Sequence, residues 1–430
     1  MSVADPDGSA YRRRVVDDEL DVFLEELPAI SLEGPRAVGK TWTARRLART
    51  VHNLDDPQTL ALVEADPGRL TRGPEPIFID EWQRYPPAWD LVRRAVDDGP
   101  RAGRFLLAGS TAPDTPPTHS GAGRIVTLRM RPMSLFERGL SEPTVSLRRL
   151  LAGERDGIDG ETDTTLDRYV EEIVTGGLPG WRSTNARIQQ AALDGYLHRA
   201  VDHDVALMGY RARQPGVVRR WLTAYAAATA TTATYETIRD AATAGEGDKP
   251  AKTTTTAYRN LLEAMWMVEP LPAWWSLSNP LSRLKRGPKH HLADPALAAR
   301  LLDVSAEDLL AGRSHGPLPP RDGLLLGALF ESLVALDVRV YAQAAQARVS
   351  HLQTWNDSRE VDLIVEKGRR MVALEVKLVA TPRREDTRHL RWLTDRMGDG
   401  VADAVLVTTG RHAYRDRDGV AVVPAALLGP

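Results

Sequence analysis

The sequence predicts an α/β protein built from several domains. Three observations carry that expectation. Short apolar runs alternate with amphipathic stretches from Tyr11 to about Leu140. A glycine-rich segment, "GPRAVGKT" at Gly34 to Thr41, joins one apolar run to a helix-like stretch. Near the C-terminus a second strand-rich unit carries Asp362, Glu375 and Lys377 inside otherwise apolar runs.

At 430 residues the chain exceeds the usual size of one hydrophobic core, so roughly two to four domains are expected. A hydrophobic content of 42% with 27% charged residues is that of an ordinary globular protein, neither disordered nor membrane-embedded. No apolar run approaches the roughly 18 residues needed to span a bilayer. The N-terminal "MSVADPDGSAYRRR" lacks the apolar centre of a secretory signal, so the expectation is a cytoplasmic protein without membrane contact. The absence of cysteine excludes disulfides, thiolate metal sites and cysteine nucleophiles. With a net charge of −2, any binding of nucleic acid has to come from a local basic surface.

Taken in order, the predicted strands of the first region are "PAISLEG", "PIFIDEW", "RFLLAGS" and "RIVTLRM", with helices in "GKTWTARRLARTV" and "PAWDLVRRAVDD". The polar, Gly- and Asp-rich stretch 141 to 165 reads as a loop or linker. Helical spacing follows in "LDRYVEEIVTGGLPG" and "IQQAALDGYLHRAVDHDVALM", punctuated by Gly176, Gly177 and Pro179. Between 216 and 275, three helical patterns and a hairpin-like apolar run suggest a winged helix-turn-helix. After the Pro-rich stretch at 315 to 323 a last α/β unit of about 110 residues begins, near the common domain size.

The glycine-rich segment matches G-x-x-x-x-G-K-T in the context of strand, loop and helix. Gly34 and Gly39 let the backbone of Pro35, Arg36, Ala37 and Val38 curl so that its amides face phosphate oxygens. Lys40 is expected to reach the β and γ phosphates of ATP, Thr41 to give its hydroxyl to Mg²⁺, and Trp42 to lie beside them in the helix. "PIFIDEWQ" supplies an acidic pair at a strand end: Asp80 for the Mg²⁺ water shell and Glu81 to polarise the attacking water. Ser110 and Thr111, at the end of "RFLLAGST", offer hydroxyls as γ-phosphate sensors. Arg124 in "GAGRIV" is a candidate arginine finger, in cis or from a neighbouring subunit of a homo-oligomer; a solvated loop arginine is the plain alternative.

Together, "YRRRVVDDELDVFLEELPAISLEGPRAVGKT", "IFIDEWQ", "FLLAGST", "GRIVTLRMRPMSLFE", "GGLP", "SRLKRGPKHHLADPAL", "GALFESLV" and "REVDLIVE...ALEVK" resemble a family of prokaryotic AAA-type ATPases. Its members join a Walker ATPase to a C-terminal region that ends in a restriction-endonuclease-like fold. The resemblance covers nearly the whole chain. It implies a P-loop NTPase of the additional-strand class, with the phosphate-loop strand central and the acidic pair on an adjacent strand. Trp42 and Thr43 stand where the family commonly has Thr and Leu, which leaves the phosphate ligands intact. The implied organisation is a P-loop AAA-type ATPase domain over 1–145, a helical lid or connector over 160–212, a winged-helix-like domain over 213–300 and a PD-(D/E)xK nuclease-like domain over 316–430.

Strand alternation puts Val361, Leu363 and Val365 on one face of the last unit and Glu360, Asp362 and Ile364 on the other. In the next strand Val372, Leu374, Val376 and Leu378 form the core face, with Glu375 and Lys377 opposite. An Asp facing Glu-x-Lys resembles the PD-(D/E)xK nucleases, in which two carboxylates hold a divalent cation and the lysine orients the hydrolytic water. Glu331, flanked at helical spacing by Gly327, Ala328, Val334 and Ala335, is a candidate to complete that metal site with Asp362 and Glu375. An exposed Glu-Lys pair on the solvent side of a sheet is the plain alternative.

The DNA-facing candidates are Lys249, Lys252, the threonines at 253 to 256 and Arg259 on the third middle helix, with the basic stretch "RLKRGPKHH" at 283 to 291. Two functions are compatible with these residues. One is a Mg²⁺-dependent AAA-type ATPase coupled to a DNA-directed, nuclease-bearing C-terminal region. The other is an ATP-switched protein- or DNA-binding module whose nuclease-like domain is catalytically silent.

Overall fold

In the computed structural model, residues 11–109, 120–182, 184–204, 215–243, 252–274, 287–312, 324–354 and 359–430 are described. The first unit is a five-stranded sheet of β1 (Ala29–Glu33), β2 (Thr50–Asn53), β3 (Ile77–Asp80), β4 (Phe105–Gly109) and β5 (Val126–Arg129). All neighbours are parallel, in the order β2-β3-β4-β1-β5. Alternate residues feed two layers, as the period of a strand requires. Ala29, Ile77, Ile79, Phe105 and Leu107 pack on Val63, Ala88, Trp89, Val92 and Val96 of α3 (Pro57–Ala65) and α4 (Pro87–Asp98). Ile30, Leu32, Phe78, Leu106 and Leu128 pack on Val16 and Leu20 of α1 (Val15–Glu26) and Ala44 of α2 (Lys40–Arg45).

Two details of this sheet correct the sequence reading. The strand that ends in Asp80 is not adjacent to β1, because β4 lies between them, and the middle strand is β4. Helix α2 is six residues long, and the chain turns at once into β2, an edge strand. "TVHN" alternates weakly and has half-exposed side chains, so no apolar run announces it.

The stretch 141 to 165, read as a linker, is part of a core. β6 (Val145–Ser146) pairs in parallel with the last strand, β13 (Leu428–Gly429). The helix Leu147–Ala152 buries Leu147, Leu150 and Leu151 in the same core as the C-terminal sheet. Ser146 caps it by accepting from Arg149 N, and Gly153 ends it in the left-handed region.

The middle of the chain is helical, with Leu166–Thr175, Ala186–His198, Pro215–Ala227, Tyr235–Ala242, Lys252–Ala264, Pro295–Leu301 and Ala306–Leu310. After Lys252–Ala264 the chain forms a two-armed ribbon: Leu271 and Lys289 exchange backbone hydrogen bonds of 2.8 and 2.9 Å, and Glu269 N donates to His291 O at 2.8 Å. The ribbon also adds to the edge of the C-terminal sheet, with His351 N donating to Pro272 O at 2.9 Å and Trp274 N to His351 O at 2.6 Å. "GGLP" has a packing reason. A Cβ on Gly177 would lie 2.5 Å from Met133 O and 2.6 Å from Met133 N, and Gly177 N donates to Asp294 Oδ2 at 2.6 Å. Three segments distant in sequence thereby meet.

The C-terminal sheet contains β7 (Arg348–Gln353), β8 (Glu360–Lys367), β9 (Arg370–Val376), β10 (Val401–Thr408), β11 (Tyr414–Arg415) and β12 (Ala421–Pro424), in the order β11-β12-β10-β9-β8-β7. Helix Leu324–Ala344 precedes it and Arg388–Met397 makes the crossover from β9 to β10. One face of this sheet shares a continuous core that runs from Leu135 through the middle helices to Leu428, and the other packs with Arg388–Met397 in a core of its own.

Replacing Leu150 by Ala, at a site 2% exposed between the connector and the C-terminal sheet, should lower stability by about 2–5 kcal/mol in a chemical denaturation series. A change near zero would mean that this helix is peripheral.

Candidate functional site

The glycine-rich loop leaves β1 at Glu33 and closes at Lys40. Gly34 has φ +154° and a Cβ there would sit 2.0 Å from Met130 O, so the loop is wedged against the segment after β5. Ala37 and Gly39 lie at φ 59° and 105°, the conformations that turn successive amides to one side. Arg14 ties the loop down: its guanidinium donates to Val38 O at 2.8 Å and Arg131 O at 2.7 Å, and its Nε to Glu137 Oε1 at 3.0 Å. Tyr11 Oη lies 2.7 Å from Thr43 Oγ1. Arg14, Tyr11 and Glu137 were absent from the expected site, although "YRRR" marked the segment.

Lys40 is buried. Its ammonium donates to Gly34 O and Pro35 O, each at 2.8 Å, across the mouth of the loop. Burial pushes its pKa down to about 8, against the opposing pull of Glu81 and Asp80. Thr41 Oγ1 donates to Asp80 Oδ1 at 3.2 Å, although their strands are separated by β4. Asp80 is buried, and that burial raises its pKa. Glu81 follows at φ 51°, with its side chain accepting from Gln83. An ammonium, a hydroxyl and two carboxylates thus converge at the C-terminal edge of a parallel sheet, where α/β folds bind ligands. Trp42 is largely exposed on α2.

Arg124 does not join them within the chain. It precedes β5, at the edge where the strands begin, and pairs with Asp97 near the end of α4 at 2.8 Å. Ser110 and Thr111 lie outside the described residues.

The second cluster lies in the C-terminal sheet, and strand alternation fails at its centre. Ser350 pairs with Ile364 but Leu352 with Val361, so β8 carries one extra residue around Asp362. Val361 and Ile364 consequently share the core under Arg388–Met397, while Leu363 and Val365 share the other. Asp362 is buried and accepts from Val376 N at 2.9 Å, which ties it to β9. Glu375 is also buried; Lys377 donates to its Oε1 at 2.7 Å, and its Oε2 has no partner among the described residues. Burial, then the charge of Asp362, raises the Glu375 pKa to about 8. The exposed-pair alternative does not fit Glu375, and only Lys377 reaches the surface.

Lys289, placed at sequence level in a DNA-facing basic stretch, is instead 1% exposed. Its ammonium lies 2.8 Å from Glu331, 2.8 Å from Glu360 and 3.0 Å from Asp362. Its neighbours are equally internal: His290 stacks edge-on with Tyr225 and Tyr235, and His291 contacts Ser332 Oγ at 3.2 Å. Residues 283 to 286, Lys249 and the side chain of Lys252 lie outside the described set, and Arg259 covers the ring of Tyr235. A divalent ion does not fit the expected trio Glu331, Asp362 and Glu375 in this arrangement, because an ammonium stands among the carboxylates. Among the described residues no group of three or more His, Asp or Glu is arranged to hold a metal.

A salt-bridge hub connects the two clusters. Glu269, on the ribbon, meets Arg129 at 3.1 Å, Arg131 at 2.9 Å and Arg339 at 3.6 Å, and the three cations hold its carboxyl far below the usual range despite burial. Arg129 and Arg131 flank Met130, the residue on which Gly34 rests.

Three family models match parts of the chain. Residues 26–138 match a family model described as an AAA domain, residues 166–308 a domain of unknown function (DUF8612), and residues 326–428 a domain of unknown function (DUF4143). The chain is similar to the uncharacterized proteins Rv2008c of Mycobacterium tuberculosis and Mb2031c of Mycobacterium bovis. Each is 27% identical over 422 residues, covering 96% of this chain and 83% of theirs. Among solved structures it is similar to the Walker-type ATPase PABY2304 of Pyrococcus abyssi, with 15% identity, 70% of this chain, 98% of that chain and a TM-score of 0.40. It is also similar to the ORC2 protein of Aeropyrum pernix, solved as ADPNP–ADP complexes, with 14% identity, 71% and 96% coverage and a TM-score of 0.30.

Gly34→Ala should destabilise the first domain by about 3 kcal/mol or more, read from its unfolding midpoint, since the added methyl meets a backbone carbonyl. Wild-type stability would show that the loop can leave Met130. The AAA domain match over residues 26–138 spans the parallel sheet and the glycine-rich loop.

Proposed function

We propose that the chain binds and hydrolyses ATP with Mg²⁺ in its first domain. The observation that carries this reading is the 3.2 Å bond from Thr41 to Asp80 beside the buried ammonium of Lys40. Thr41 and Asp80 would hold Mg²⁺, which when bound neutralises phosphate charge. Lys40 exchanges two backbone carbonyls for phosphate oxygens, a stronger charge-assisted partner. The amides from Gly34 to Thr41 carry the remaining phosphate contacts, and Glu81 orients and deprotonates the attacking water. Arg124, at the opposite edge of the sheet, would serve only a nucleotide held by a neighbouring copy.

For the remainder of the chain we favour an ATP-switched module whose nuclease-like domain is silent in this state. The helix, three-stranded antiparallel run, helix and parallel strand are the arrangement expected of a PD-(D/E)xK unit. The favouring observation is Lys289 among its carboxylates. DNA would meet the three helices and ribbon, a winged-helix-like unit, through the exposed Thr253 and Thr256 and not through the buried 289–291 stretch.

Phosphate release from ATP should be lost in Lys40→Ala; equal turnover in both proteins would refute the reading. Glu81→Gln should keep ATP binding and lower kcat by about 100-fold or more. Because the free Lys40 titrates near 8 and phosphate favours its charged form, ATP affinity should fall as pH rises past that value, with proton uptake on binding. Calorimetry in two buffers of different ionisation enthalpy measures that uptake, and none would mean that Lys40 is already fully charged.

A further inference from the structure

The centre of the C-terminal sheet crowds carboxyl groups together. Among the described residues Glu331, Glu360, Asp362 and Glu375 lie beside the ammonium groups of Lys289 and Lys377, and burial with the charge of Asp362 raises the pKa of Glu331 and Glu375 to about 8. Lys289 reaches the centre from outside the C-terminal domain, on the ribbon arm that pairs with Leu271. It lies beside groups from two elements, Glu331 of helix Leu324–Ala344 and Glu360 and Asp362 of β8, and Asp362 is bonded in turn to β9. Burying an ammonium this completely is costly unless polar and anionic groups surround it, and here the carboxyl groups of Glu331, Glu360 and Asp362 lie within 3.0 Å. A second observation is an unpartnered buried oxygen: Glu375 is 4% exposed, and among the described residues its Oε2 has no hydrogen-bond partner.

We propose that Lys289 is an intramolecular plug: its ammonium takes the place of a divalent cation among Glu331, Asp362 and Glu375, and the centre accepts such a cation only when the ribbon withdraws. This rests on the reading of those carboxylates as one centre, but neither on ATP turnover nor on nucleic-acid cleavage. The ribbon is suited to such a role because its other arm carries Glu269. That side chain is gripped by Arg129 and Arg131 on either side of Met130, against which the phosphate loop is packed. A displacement of Met130 by the loop would therefore be felt two residues from Lys289, through the Glu269–His291 bond.

The probe is Mn²⁺ alone, without nucleotide, titrated into the full chain and followed by electron paramagnetic resonance. Lys289→Met keeps the apolar stem and removes the charge. It should bind a single Mn²⁺ at least about tenfold more tightly than wild type, and Lys289→Met/Asp362→Asn should lose that gain. A folded Lys289→Met chain with wild-type Mn²⁺ binding would overturn the proposal and leave the lysine as a structural ion pair. A wild-type chain that already binds Mn²⁺ as tightly as Lys289→Met would overturn it as well. If Lys289→Met does not fold with or without Mn²⁺, the wild-type protein carries the test through acetylation of Lys289 by acetic anhydride, read by mass spectrometry. Excess Mn²⁺ should speed modification of Lys289 relative to Lys367; an unchanged ratio would overturn the plug. Failure of ATP turnover would leave all these readouts intact.

Discussion

The architecture depends on one carboxylate. Glu269 draws three guanidinium groups onto itself from two directions: Arg129 and Arg131 from the edge of the first domain, and Arg339 from the long helix beneath the C-terminal sheet. Arg339 also donates to the Glu269 carbonyl at 2.8 Å, and Arg131 Nη1 reaches Gln343 at 2.6 Å. Charges buried this deeply are tolerated only as a complete set, since removing one member leaves the others desolvated and unpaired. The constraint makes the two halves of the molecule a single mechanical object. The phosphate loop, the strand edge behind it, the ribbon and the helix cannot be placed independently.

The same logic recurs elsewhere. Arg138 is held by Glu172 at 3.1 Å and by the carbonyls of Met133 and Glu172, which fixes the turn after β5 to the first connector helix. Asp337 accepts from Leu135 N at 2.9 Å, and burial raises its pKa to about 8. These contacts join residues 130–138 to the helical and C-terminal regions, and one hydrophobic core continues across the boundary. The first domain has its own two apolar layers, and most of the chain after residue 135 shares one core, with a second on the far face of the C-terminal sheet. Contacts link the loop to the ribbon through Met130 and its flanking arginines.

Much of the first site was legible because its chemistry is local. Gly34, Gly39, Lys40 and Thr41 lie within eight residues of one another, and Asp80 and Glu81 end an apolar strand in the expected manner. The strand order was misjudged, since adjacency in a parallel sheet depends on crossovers that pattern alone does not order. β2 was missed because an edge strand of four half-exposed residues has little pattern to show. The helix Leu147–Ala152 is hidden in the sequence because Gly and Asp dominate the polar stretch around it, and its three leucines acquire meaning only against a sheet formed more than 200 residues later.

By itself the amino-acid sequence determined the phosphate loop, the acidic strand end, the β8–β9 hairpin and the presence of Asp362, Glu375 and Lys377 on it, since each follows from short-range periodicity and residue chemistry. Only the tertiary structure decided which charges meet. The bulge at Asp362 changed the strand faces, and the ribbon carried Lys289 from an apparently basic surface stretch into a carboxylate centre. The physical reason is that the environment of an ionisable group is set by long-range packing. A lysine's sequence neighbours give no sign that Glu331 and Asp362, 42 and 73 residues away, will be the anions that let it be buried.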